Sequence, residues 1–217
     1  MRHSNDMTGR TPHPFPHLNR VLYPDQALPV SLAIREHLIP DASPGTLELI
    51  SQAGHTITDF TYTLTSDSRH PVTVPIICST PAVAERRPCT LVQTLGLTAG
   101  RRAVGATWSD WQSSAHRTAR INGSSQYIPG AVPDGRWQER LPGGTERDWI
   151  LEYSHGEFTS KRLAAVIHTH GRRPKFWMTP SHAHAQKLRR VMTEALPGYP
   201  LLRVDVVNWT GGTYDLP

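Results

Sequence analysis

The chain has little lysine, little cysteine and no long apolar run. Two cysteines in 217 residues, Cys78 and Cys89, cannot make the disulfide framework of a small secreted domain. No stretch approaches the ~18 consecutive apolar residues of a membrane-spanning helix, so no membrane association is expected. The first residues, Met1-Arg-His-Ser-Asn-Asp, lack the apolar core of a secretory signal. Together these absences point to the cytoplasm. The 23 basic side chains include only three lysines, so the net charge of +5 rests on arginine. Arg-Arg pairs occur at 86–87, 101–102, 172–173 and 189–190. They are dispersed and carry no interleaved aromatic pattern. A compositional origin is therefore favoured over a nucleic-acid surface.

What is present is enough for one domain with a substantial core. Residues 1–24 are polar and rich in Pro and His, and read as a flexible tail. Residues 25–217 read as a single mixed α/β domain, a central mixed sheet flanked by helices. A helix is expected over 27–39, stopped by Pro40. Strands are expected over 46–52, 55–64, 71–79 and 90–97, with Pro75 marking an edge or a bulge. Residues 98–146, rich in Gly but holding Trp108, Trp111 and Trp137, read as a possible insertion ordered by its large rings. A strand over 148–153 then leads towards 163–170.

Four of the twelve histidines lie in two His-x-His pairs between Ala165 and Leu188. If the apolar run before His168 is a strand, His168 and His170 project from one face, a usual start for a metal site. After Thr179-Pro180, a cap and a first-turn proline, Leu188, Val191, Met192, Ala195 and Leu196 keep the spacing of a core-facing helical stripe. Carried backwards, the stripe includes His184 and Ser181 but puts His182 on the polar face, about 200° from His184. Three histidines, His168, His170 and His184, would leave a fourth zinc position open for water, the pattern of catalytic zinc. Ser181 would stabilise a developing oxyanion.

His-x-His, a loop, Ser181-His-Ala-His184, an amphipathic helix over 180–196 and a strand over 201–207 resemble the JAMM (JAB/MPN) metal-dependent hydrolases. That family holds zinc with the two histidines and an Asp three residues after the Ser, a position His184 occupies here. The residue after the second His is usually Pro and is Gly171 in this chain. The resemblance implies a JAMM-like fold and a zinc-dependent hydrolase of peptide or isopeptide bonds, acting on peptides or ubiquitin-like proteins. It also implies a glutamate base after the first helix. Glu48 stands in that place, and Glu152 and Glu157 are its rivals.

Two other classes share these residues. One is a non-catalytic scaffold or binding module of the same fold. The other is an HUH-type DNA nuclease, which pairs a metal-binding His-x-His strand with a helical Tyr nucleophile. Here Tyr199 and Tyr214 stand in Pro/Gly surroundings, which ranks that reading lower.

Overall fold

The computed structural model describes residues 13–63, 71–107, 109–113, 133–155 and 160–210. The chain opens with α1 (Pro16–Asp25), β1 (Ala27–Pro29), α2 (Val30–Arg35) and α3 (Pro44–Gln52), followed by a hairpin of β2 (Thr56–Tyr62) and β3 (Val72–Cys78). The sheet order β1-β3-β2 is antiparallel throughout. Three helices, with α2 and α3 as a turn-linked pair, thus sit beside a small sheet. Their shared core is Leu18, Leu22, Leu28, Leu32, Ile50 and Ile77.

Three expectations change here. Residues 16–24 of the supposed tail are helical, because Leu18 and Leu22, four apart, give α1 a fully buried stripe. Residues 46–52 form helix α3 rather than a strand. Ser43 caps it by accepting from the Thr46 N–H, and Pro44 occupies its first turn. The expected helix over 27–39 is split, with 27–29 given to β1 and 30–35 to α2. Pro75 lies in the middle strand of this sheet. It tolerates that place because β1 pairs only with residues 76–78, so the ladder on that side has ended before it.

After a short α4 (Pro81–Ala84) comes α5 (Pro88–Ala103), where the apolar run 90–97 had suggested a strand. Leu91, Val92, Leu95 and Ala99 are buried at helical spacing, and the burial continues through Arg101. One face of α5 meets the small sheet through Ala27, Ile76 and Cys78. Its other residues meet a second, five-stranded sheet.

That second sheet runs β4 (Trp111–Ser113), β5 (Gly135–Arg140), β6 (Glu146–Tyr153), β7 (Lys175–Thr179), β8 (Leu202–Val206), in sequence order. Its first pairings are antiparallel, and β6-β7 and β7-β8 are parallel. The parallel pairings need crossovers, supplied by α6 (Ser160–Thr169) and α7 (His182–Ala195). Both helices pack on the face opposite α5, around Leu163, Ile167, Trp177, Leu188 and Val204. The layers are therefore small sheet, α5, large sheet, α6 with α7. Trp111 and Trp137 are buried as their size predicts. Trp137 stacks on Trp149 at 6.1 Å, beside Phe176.

Glycine lets α5 lie against the sheet. A Cβ on Gly96 would collide with the Tyr153 ring, and one on Gly100 with the Met178 sulfur. The mixed α/β class is as expected, and no helix among the described residues is long and apolar enough to cross a membrane.

Candidate functional site

In open α/β sheets ligands collect outside the carboxyl ends of parallel strands, so the end of β6 is the place to look. Alternation along β6 sends Trp149, Leu151 and Tyr153 into the core shared with α5. Glu152 and Ser154 then turn towards α6 and α7. Each meets a histidine there. Glu152 Oε1 is 3.1 Å from His170 Nε2, both side chains nearly buried. Ser154 Oγ is 3.0 Å from His184 Nε2.

A second carboxylate joins from β5. The β5-β6 register pairs Gly135 with Leu151, so one step further sets Asp134 opposite Glu152. Asp134 Oδ2 accepts the Tyr153 N–H at 2.8 Å, which ties its carboxylate to the end of β6.

His170 titrates below the ordinary imidazole range. Burial is the main cause, followed by the cations of Lys175 and Arg173, with Arg136 adding to them. The Asp134 carboxylate pulls the other way without overcoming them. The ring is therefore neutral at pH 7. Lys175 is itself fully buried, and its Nζ donates to the carbonyls of Gly171 and Arg173. Burial, and the nearby Arg173, push its ammonium pKa down.

The Ser154–His184 pair has the spacing of a nucleophile and its base. Ser154, however, is completely buried and donates its own N–H to the Met178 carbonyl. A nucleophile that no substrate reaches does no acyl chemistry, so the pair works as a clamp between β6 and the start of α7. Ser181 completes the clamp: it is the N-cap of α7, its Oγ accepting the His184 N–H. That places the cap two residues past the expected Thr179, and leaves Pro180 ahead of the helix.

The sequence-derived site residues separate as follows. His184 and Ser181 are buried and His182 is exposed, as the helical stripe requires. Residues 163–169 belong to helix α6, not to a strand, so His168 and His170 do not share a strand face. The reason is visible in the burial: Leu163, Val166 and Ile167 are inward at i, i+3, i+4. His168 is left exposed on the last turn of α6, while His170 lies beyond it against Glu152. Glu48 is exposed on α3 in the other unit, where its Oε1 accepts from Gln52 Nε2. Glu157 lies outside the described residues. Among the described residues no three His, Cys, Asp or Glu side chains are grouped to hold a metal unaided.

Of the rivals, Glu152 is the one that meets a histidine. Asp134 had no signal of its own beyond standing, as Pro133-Asp134-Gly135, at the mouth of a strand. Its partner is set by antiparallel register, which a single sequence does not reveal. Compared with known proteins, the chain matches no family model, no curated protein and no solved structure.

Proposed function

We propose that the α/β unit hydrolyses phosphodiesters of nucleic acid with a hard divalent cation held by Asp134 and Glu152. The observation that carries this reading is the β5-β6 register, which continued by one step sets Asp134 opposite Glu152, with neutral His170 at 3.1 Å from Glu152. Asp134 is oriented by the Tyr153 N–H and Glu152 by His170. Magnesium needs only one or two protein carboxylates, because water and substrate phosphate complete its shell. A zinc site wants three or four nitrogen or sulfur ligands, which the dispersed histidines supply less well.

Charge supports the substrate class. Residues 79–217 carry eighteen Lys and Arg against eleven Asp and Glu. Arg136 and Arg173, both exposed, lie close enough to depress His170. A phosphate backbone is drawn to such a field. The chemistry needed is a water made acidic by the cation and a group to take its proton. In the tautomer whose Nε2–H donates to the Glu152 carboxylate, His170 Nδ1 is that acceptor.

The test is cleavage of single- and double-stranded DNA and RNA oligonucleotides by the full chain, with magnesium, manganese or zinc, at low salt. Cation-dependent cleavage is expected, reduced about a hundredfold or more in Glu152→Gln and in Asp134→Asn. Both variants should keep the parent's melting temperature to within a few degrees. No cleavage with any cation, or full activity in both variants, overturns the reading. Zinc-dependent cleavage of peptides instead, lost in His170→Ala, would restore the peptidase that the His-x-His pairs suggest.

A further inference from the structure

Away from β6, where α2 passes the end of β8, there is a cleft of about 220 Å³ between the two halves of the chain. Liquid water would fill it with roughly seven molecules, so it admits a small organic ligand. Leu32 and Ala99 give it apolar walls, while Arg35, Glu36, Arg102 and Asn208 bring polar groups to it. We propose that this cleft binds a small monocarboxylate with an apolar body, its carboxylate held by Arg35 and Arg102.

The charge count around the cleft is the first argument. Three guanidinium groups, Arg35, Arg101 and Arg102, face two carboxylates, Asp25 and Glu36. Asp25 is committed to Arg101 at 3.0 Å, whose Nη1 also donates to the Ala106 carbonyl. Glu36 is committed to Arg102 Nη1. Arg35 has no ion-pair partner among the described residues and lies near enough to Arg102 to repel it. One positive charge is left over, which one anion balances.

The second argument is an incomplete hydrogen-bond shell. The Arg102 side chain is only 11 % exposed, yet its Nε and Nη2 donate to nothing. Asp25 lies 3.8 Å from Nη2, beyond hydrogen-bond reach. Nε and Nη2 share one edge of the guanidinium, the fork that takes a carboxylate through two parallel bonds; both are closed to water here, and a ligand takes them by drawing the Arg102 side chain towards the cleft. Apolar walls beside that fork select an organic acid over a bare inorganic anion. Because α2 packs with the small sheet and β8 belongs to the large one, an occupant ties the two together. This site is independent of the carboxylates on β6, so either proposal can fail alone.

The experiment is calorimetric titration and thermal melting of the intact chain with a panel of monocarboxylates, from butyrate to benzoate and 3-phenylpropionate, each beside its uncharged amide and beside inorganic phosphate. At least one carboxylate is expected to bind saturably and raise the melting temperature, with its amide and phosphate about tenfold weaker or worse. Arg35→Gln, an exposed change that spares the buried ion pairs, should weaken binding by about tenfold, and Ala99→Leu should block it. Silence across the panel overturns the proposal. So does an amide or phosphate that binds as well as the acid, or binding unchanged in both variants.

Discussion

The two units of this chain share α5 but differ in charge and in how they hold it. The helix–hairpin unit, residues 13–78, has three arginines against six acidic residues, whereas residues 79–217 have a surplus of seven positive charges. Three helices beside a hairpin share the outline of a helix-turn-helix DNA reader, although residues 36–43 part α2 from α3 where that motif has a tight turn. Yet α3 carries no Lys or Arg, and its Glu48 points outward. Phosphate attraction supplies most of the sequence-independent affinity for nucleic acid, and that term belongs to the other unit. Shape alone points nucleic-acid contact at the helix–hairpin unit. The charge balance favours the other unit, which is where the proposed reading puts it.

The comparison can be broken first at the junction. Asp25 on α1 meets Arg101 and Arg102 on α5, and burial raises its pKa even though both arginines pull it down. Asp25→Ala strands the buried Arg101, at a cost of about 3–5 kcal/mol, read as a fall in melting temperature of both units together. The double change to Asp25→Leu and Arg101→Met should recover most of that loss. A smaller effect is expected within the α/β unit. Gly96→Ala improves helix propensity but drives a methyl into Tyr153, so a net loss of about 1–3 kcal/mol in chemical denaturation is expected. A stabilised protein would show that Tyr153 moves freely.

The smallest effect is on pH, and it touches both units. His55, hydrogen-bonded to His13 at 3.1 Å, and His170 both titrate below the ordinary value, mainly through burial. The native state thus prefers both rings neutral. As pH falls through about 6.5 the unfolded chain takes up protons first, and the stability that both rings give above that value is lost as their lower folded pKa values are passed. A melting temperature that declines from about pH 7 to pH 5, less steeply in His170→Gln, is the expected result. A flat profile would mean that neither ring is held neutral by the fold.

Much of this was legible in the sequence, and what was not has physical causes. The α7 stripe, β2, β3, β6 and β8 followed from spacing alone. Residues 90–97 and 163–167 are short apolar runs that suit a buried strand or a buried helix equally, and length decided wrongly in both. In 46–52 the decisive signal was present as Ser43-Pro44, a cap followed by a first-turn proline. Of the site, His170, His184, Ser181 and Glu152 were named, but their partners were not. His170 pairs with a carboxylate rather than with His168, because ending α6 at Thr169 turns the two rings apart. Asp134 joins only through strand register.

The position of α5 between two sheets bears on cooperativity. Its buried residues form one continuous core with residues of both sheets, so the face it covers on each is wetted at once when the helix leaves. Separate melting of the halves would require one sheet to expose that face to water while the other stays closed. The chain should therefore unfold in one calorimetric step, with no half-molecule that survives alone.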